Sequence, residues 1–175
     1  MKKILGLILS IILTGCVNNM KPTDFKNQKP RLIIENYLSG NVKAYGILQN
    51  RSGKVTRQFV ADLNGKWNEN QLILDEKFNW SDGEIQTRQW KIKKIDDHNY
   101  EGTAEDVVGK ARGYSYGPAF KFEYVLLVPI KGKNIKITFD DWIFKQDDNI
   151  AINRATMTKF GFKVAELTVM FKKNN

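Results

Sequence analysis

The sequence has one cysteine and one histidine in 175 residues, and this scarcity excludes several kinds of functional site. A disulfide needs two cysteines, and a structural zinc site needs about four cysteine or histidine ligands. A catalytic dyad or triad with a histidine base would have to use His98, which lies in a run of polar turn residues, Asp96-Asp97-His98-Asn99. We therefore predict no metal site and no cofactor.

Long apolar runs are also absent, since the apolar run over residues 4–13 is ten residues long and a helical membrane span takes about 20. This run follows Lys2 and Lys3, as in a secretory leader. It ends in Leu13-Thr14-Gly15-Cys16, which resembles the bacterial lipobox, so we predict a signal peptide over residues 1–15 and an acylated Cys16 that anchors the chain in a membrane. Val17 stands where an aspartate would retain the protein in the inner membrane, which favours the periplasmic face of the outer membrane.

The charge balance is basic, with 28 lysines and arginines against 19 acidic residues and a formal net charge of +9. Removal of the leader takes away only two of the lysines. A composition of 42% hydrophobic and 27% charged residues is that of an ordinary folded protein. For an exported protein, we expect the positive charge to attract anionic lipid headgroups and not nucleic acid.

The chain divides into a tether and one domain. Residues 16–30 are polar and contain Pro22 and Pro30, as in a flexible linker, so we predict a lipidated tether over 16–30 and a single folded domain over 31–175. A domain of this size can bury a core. Nothing in the sequence sets the oligomeric state.

Within this domain, turn signals recur at short intervals and the segments between them alternate between apolar and polar residues. Phe120, Phe122, Tyr124 and Leu126 form one such apolar row, and no long helical stripe interrupts the pattern. We therefore predict an all-β fold, an antiparallel meander of about 8–10 strands closed into a lipocalin-like (calycin-type) barrel. An open sandwich is the second choice.

Several charged residues stand in the apolar rows. A three-residue loop with Gly83 in a left-handed conformation would pair Glu76 with Arg88 and Leu74 with Trp90, keeping the apolar side chains on one face. Arg57, Asp106 and Asp141 hold comparable places in their rows, so five charges are expected inside the barrel. A structural ion-pair network and a polar floor for the head of an amphiphile are both open interpretations.

The second interpretation predicts a ligand site. The apolar chain of an amphiphilic ligand would lie along the aromatic rows, and the polar head of the ligand would contact the interior charges. A glycine-rich mouth loop over residues 109–118 would supply further contacts. The predicted contact residues are Glu76, Arg88, Trp90, Asp106, Arg112, Tyr116, Phe122, Tyr124, Asp141 and Trp142.

Several of these segments together resemble a known family. Residues 72–83, 88–90, 100–113, 139–142 and 153–161 are similar to the DUF 3833 family, whose members are regarded as bacterial lipoproteins of unknown function. The resemblance covers nearly all of the mature chain and agrees with the lipobox. It implies an envelope lipoprotein with one β-rich domain and assigns no catalytic residue.

Three functions remain open. The leading hypothesis is an outer-membrane-anchored lipoprotein that binds an apolar or amphiphilic, lipid-like molecule in its barrel. An enzyme acting on an envelope lipid would use Asp106 or Asp141 as acid or base, with Arg88 as electrostatic stabiliser, and we favour it less. A structural or assembly protein would have a filled barrel.

Overall fold

The structure, a computed structural model, describes residues 20–173. The predicted leader over residues 1–15 and the predicted acylation site at Cys16 therefore lie outside the described residues. Within the described part, no helix is long and apolar enough to cross a membrane.

Ten antiparallel strands form a closed barrel in which each strand pairs with its neighbours in sequence and β10 pairs with β1. This confirms the predicted all-β, lipocalin-like meander and makes the open-sandwich alternative wrong. The strands are β1 (Gly40–Asn50), β2 (Val55–Asn68), β3 (Gln71–Trp80), β4 (Ile85–Lys94), β5 (Asn99–Thr103), β6 (Ala111–Tyr116), β7 (Ala119–Ile130), β8 (Lys133–Lys145), β9 (Ile150–Lys159) and β10 (Phe162–Lys173).

Side-chain alternation explains the core. In β2, Phe59, Ala61 and Leu63 are buried, whereas the intervening Val60 and Asp62 are exposed. A strand shifted by one residue would turn its apolar set toward water, so burial fixes the register.

The β3–β4 hairpin has the predicted register. Glu76 lies opposite Arg88 and Leu74 opposite Trp90. Gly83 has a φ of 87°, the left-handed conformation that the three-residue loop requires. Because both strands alternate in phase, Glu76 and Arg88 share the inner face with the apolar residues.

One end of the barrel is closed by a plug, which we define as residues 32–38 and which contains the short helix α1 (Ile34–Tyr37). Leu32, Ile34 and Leu38 are buried, and the Tyr37 hydroxyl donates hydrogen bonds to the carbonyl oxygens of Asn149 (3.0 Å) and Phe171 (3.1 Å). These bonds attach the plug to the β8–β9 turn and the end of β10. The hairpin turns of β1–β2, β3–β4, β7–β8 and β9–β10 lie at the opposite end, which we call the mouth.

A buried glutamate also holds the plug. Glu35 accepts hydrogen bonds from Lys94 Nζ (2.7 Å) and from the Tyr100 hydroxyl (2.8 Å). Burial raises the pKa of Glu35, but the hydrogen bonds from Lys94, from the Glu35 backbone and from Tyr100, together with the Lys94 charge, outweigh it, so the net shift is downward. Glu35 is therefore a satisfied ion pair of the fold.

The segment before the plug packs on the outer wall. Pro22–Phe25 is a 3₁₀-helix, and the Phe25 ring lies 5.4 Å from that of Phe144 and 6.0 Å from that of Trp142. The tether over residues 16–30 as a whole stays a prediction, although its residues 22–25 pack on the barrel. Phe25 covers apolar aromatic surface that would otherwise face water, which the polar composition of the segment did not reveal.

Candidate functional site

The barrel contains an internal cavity of about 290 Å³. Ile34 and Leu38 of the plug close one end, and Leu48, Val128 and Pro129 line it toward the mouth. Its wall is mainly aromatic; the lining rings are those of Phe59, Phe78, Trp80, Trp90, Phe120, Phe122, Tyr124, Phe139 and Phe171. The cavity offers a small molecule an apolar surface at about the lower limit of ligand-site volumes, roughly 300 Å³.

A side-chain ion pair borders this cavity. Arg88 donates to Asp106 from Nη2 (2.7 Å) and from Nε (3.1 Å to either carboxylate oxygen), which is the two-pronged geometry that favours an arginine–carboxylate pair. Asp106 lies in a turn and not in a strand as its row position indicated. Its side chain nevertheless reaches Arg88, so the predicted proximity of these two residues holds.

The ion pair spans a lateral gap in the barrel wall. β5 pairs with residues 91–94 of β4, leaving residues 85–90 without a strand beside them on that side. The segment 104–110 runs along β7 instead, through a bridge between Val107 and Leu126 and a hydrogen bond from the Leu127 amide to the Asp106 carbonyl (2.8 Å). Arg88 therefore connects β4 to this segment through its side chain.

An outer groove of about 1,150 Å³ follows the gap. Glu76, Arg88 and Asp106 line both this groove and the inner cavity. The three side chains thus form a polar partition between solvent and the aromatic interior.

Glu76 is the least satisfied member of the partition. Its Oε2 is buried without a hydrogen-bond partner among the described residues, and the nearest cation, Arg88 Nη1, is 3.8 Å away. Burial raises the pKa of Glu76 to about 7, and the attraction of Arg88 offsets this effect only in part. A carboxyl group therefore changes charge near neutral pH while facing the cavity.

Asp141 is the second acidic group of the interior. It accepts hydrogen bonds from the Tyr124 hydroxyl (3.0 Å) and from the side-chain amide of Asn153. Burial raises the pKa of Asp141 to about 6, against the opposing effect of these hydrogen bonds. Both oxygens of Asp141 are engaged, as are those of Asp106, so neither proposed acid–base residue has a free oxygen.

Arg57 does not join this group. Its Nη2 contacts Asp82 Oδ1 (2.7 Å) and Glu84 Oε2 (2.8 Å) at the mouth, and its guanidinium lies over the Trp80 ring at 4.0 Å. All five expected charges thus line the cavity, but Arg57 lies at its mouth end, paired with Asp82 and Glu84 and apart from the other four.

Three predicted contact residues lie on the outer wall. Arg112 is exposed, Tyr116 stacks on His98 with centroids 4.1 Å apart, and Trp142 packs against Phe25 and Phe144. The structure therefore does not bring them to the cavity: Trp142 faces outward, and Arg112 and Tyr116, which were expected on a mouth loop, lie in β6 with their neighbours at the inner positions. Asp141 faces the cavity, so the adjacent Trp142 must face outward.

The predicted mouth loop over residues 109–118 is also wrong. Residues 111–116 form β6, and the turn at Gly117 and Pro118 lies at the plug end, where the Leu32 amide donates to the Gly117 carbonyl (2.8 Å). Ala111, Gly113 and Ser115 pack inward, so this glycine-rich stretch is a closely packed strand.

Among the predicted contacts, seven line the cavity: Glu76, Arg88, Trp90, Asp106, Phe122, Tyr124 and Asp141. Sequence reasoning missed Asn153, which is 3% exposed and donates to Asp141 and to the Trp142 carbonyl (3.1 Å). The available signal was an amide side chain at an inward position between Ala151 and Ala155. Within residues 20–173, no cluster of three histidine, cysteine or acidic side chains could hold a metal ion.

The fold and this site define a lipocalin-like β-barrel with an internal aromatic cavity, an arrangement that fits small-molecule binding. The chain belongs to the family described as "Protein of unknown function (DUF3833)", whose model matches residues 10–173. No curated protein sequence matches it.

Two solved structures share the fold. The S-type phycobiliprotein lyase of Guillardia theta is 6% identical with a TM-score of 0.61, and the similarity covers 81% of this chain and 90% of that one. A protein of unknown function from the DUF3598 family of Nostoc punctiforme is 13% identical with a TM-score of 0.62, and the match covers 84% of this chain and 51% of that one. At these identities the likeness concerns the fold alone.

Proposed function

We propose that the barrel binds an elongated apolar or amphiphilic molecule whose polar end donates hydrogen bonds. The observation that carries this proposal is the aromatic cavity bordered by the unpartnered Glu76 Oε2. A buried acceptor without a donor costs free energy, and a ligand donor would relieve that cost. A solid barrel built only for stability would gain by filling this space with side chains.

The charges favour a donor over an anion. Arg88 is paired with Asp106, and Arg57 with Asp82 and Glu84, so both arginines that line the cavity have carboxylate partners. Glu76 and Asp141 are the groups whose charge varies. An amine or a hydroxyl can donate to the unpartnered Glu76 Oε2, whereas a carboxylate or phosphate would meet like charge from Glu76 and Asp141.

Native mass spectrometry tests whether a ligand exists. A chain that begins at residue 16 with Cys16→Ser keeps every described residue and cannot be acylated. We expect detergent-free preparations to carry a bound small molecule that organic solvent extracts. If no molecule co-purifies and no alkyl compound binds, the binding function is wrong.

Matched ligands test the polarity of the head. Calorimetric titration with decylamine, decanol and decanoate at pH 8 holds the chain constant and changes the head. We expect the amine to bind about tenfold or more tightly than the carboxylate, with the alcohol between them, because like-charge juxtaposition is costly. Glu76→Gln should narrow this difference, and Glu105→Gln, which changes an exposed carboxylate, serves as the control. A preference for decanoate would refute the donor head while leaving the binding function intact.

The same proposal includes an envelope location. The lipobox at residues 13–16 and Val17 support a lipoprotein on the periplasmic face of the outer membrane, anchored through acylated Cys16. Metabolic labelling with an alkyne fatty acid should mark the native chain and not the Cys16→Ser chain. Membrane fractionation should place the label in the outer membrane; labelled protein in the inner membrane would contradict the inferred destination.

A further inference from the structure

Two neighbouring hairpins at the mouth expose large apolar side chains. Phe160 is 89% exposed and Phe162 is 77% exposed in the β9–β10 hairpin, and Ile130 is 45% exposed in the β7–β8 hairpin. β8 and β9 are adjacent strands, so both turns lie on the same side of the mouth, and because Thr138 pairs with Thr158 the β7–β8 turn projects further from the barrel than the β9–β10 turn. We call Ile130, Lys131, Lys133, Lys159, Phe160 and Phe162 the tip patch.

The backbone of the β9–β10 turn makes Phe160 an unexpected residue. Lys159 pairs with Phe162, so Phe160 and Gly161 form a two-residue turn with φ values of 51° and 81°. Asparagine is the residue that normally precedes glycine in such a turn, because a bulky side chain is strained at positive φ. The turn preference therefore does not account for a phenylalanine here, and its exposed ring packs on no core, with Lys159 Nζ 5.3 Å from the ring centroid.

Lysines surround these apolar side chains. Within residues 20–173, Lys131, Lys133 and Lys159 have no carboxylate within ion-pair distance, whereas the nearby Lys163 is paired with Glu166 at 2.8 Å. The tip patch thus combines apolar tips with three cations whose charge is not neutralised.

This combination fits a lipid surface better than a protein. Protein interfaces are depleted of lysine, whereas aromatic residues flanked by lysines are typical of segments that enter the headgroup region of anionic bilayers. The apolar rings enter the boundary between headgroups and acyl chains while the lysines meet lipid phosphates.

The tip patch also stands beside the cavity. Val128 and Met157, which line the cavity, each precede one of the two turns by three residues. Contact between the tips and a membrane would bring the mouth of the cavity close to the lipid surface.

We propose that the tip patch docks the mouth of the barrel onto an anionic lipid bilayer, as a contact separate from any acyl anchor. This proposal stands on exposure and charge at the tips and does not require the ligand proposed above.

Vesicle co-flotation of the non-acylated chain beginning at residue 16 tests it. We expect binding to vesicles of phosphatidylglycerol and phosphatidylcholine, and weak binding to pure phosphatidylcholine. Binding should weaken with salt. Replacing Lys131, Lys133 and Lys159 by glutamine should lower the affinity about fivefold for each lysine and abolish the preference for phosphatidylglycerol.

Phe160→Asn separates docking from folding. Asparagine suits the positive φ, so the thermal midpoint should hold or rise, while vesicle affinity should fall about tenfold with the loss of the ring. Phe162→Ser should act likewise on binding. The matched control is Ile95→Ser, which removes a 52% exposed side chain from the turn between β4 and β5 at the plug end.

Two results would overturn the proposal. The first is that Phe160→Asn and Phe162→Ser change the vesicle affinity no more than the control Ile95→Ser does. The second is that variants of the tip patch abolish association of the chain with itself or with another protein, while their vesicle affinity equals that of the unmodified chain.

Discussion

Replacement of Glu76 by glutamine tests the central electrostatic feature of the cavity. In the folded chain burial raises the pKa of Glu76 from 4.5 to about 7. Between these values the folded chain binds a proton that the unfolded chain has released, so the free energy of unfolding falls as pH rises from about 4.5 to about 7. A pKa shift of this size corresponds to a decrease of about 3 kcal/mol in the free energy of unfolding, and this decrease is complete above pH 7.

Glutamine keeps the shape of the side chain and removes its titration. We expect Glu76→Gln to match the unmodified chain near pH 4.5 and to be more stable by up to about 3 kcal/mol at pH 8. Urea unfolding followed by tryptophan fluorescence at a series of pH values measures this. Because Asp141 titrates at about 6, the interval from pH 6 to pH 7 isolates Glu76 best.

Glu105→Gln provides the control, since Glu105 is exposed in the same region. Parallel pH profiles for the unmodified chain and Glu76→Gln would refute the reasoning, because they would mean that Glu76 is ionised in the folded barrel as readily as in the unfolded chain.

Three further perturbations examine the partition and the plug. Arg88→Met leaves the Asp106 carboxylate without its partner, so we expect the free energy of unfolding in urea to fall by about 3 kcal/mol, and an unchanged midpoint would contradict the buried pair. Gly65→Ala places a Cβ 1.8 Å from the Leu38 carbonyl oxygen and should lower stability by about 1–3 kcal/mol as the plug shifts; an unaltered thermal midpoint would show that the plug adapts freely. Because the folded pKa of Glu35 is lowered, its contribution is present above pH 4.5 and lost on acidification, so Glu35→Gln should be less stable at pH 7 and show a flatter acid-unfolding profile; equal profiles would contradict this.

Local patterns in the sequence predicted local structure well. The β3–β4 hairpin, with Gly83 at its turn and Glu76 opposite Arg88, follows from alternation and turn chemistry within about twenty residues. The barrel class follows from the same alternation repeated along the chain.

Features that depend on distant contacts were not predictable in this way. The plug at residues 32–38 is recognised only by its place over the barrel end, and the docking of Phe25 depends on β8, more than a hundred residues away. The aromatic character of Trp142 favours an interior position, but its place next to the inward-facing Asp141 in one strand directs it outward. The Glu76–Arg88 part of the charged partition was predictable because it depends on local strand pairing, whereas Asp106 reaches Arg88 from a turn. The prediction of a mouth loop was wrong because a glycine-rich stretch can be either a turn or a tightly packed strand.

The lateral gap gives the barrel wall an uneven resistance to expansion. At the plug end every strand is paired with both of its neighbours, and β1 and β10 are joined by nine residue pairs that run from the plug end to the mouth. At the mouth end the wall is interrupted by the lateral gap between residues 85–90 and the segment 104–110, which the Arg88–Asp106 ion pair bridges. Thermal fluctuations that widen the barrel should therefore concentrate along the lateral gap, so the mouth end should widen more than the plug end. Amide hydrogen exchange should accordingly be faster in the first half of β4 than in its second half.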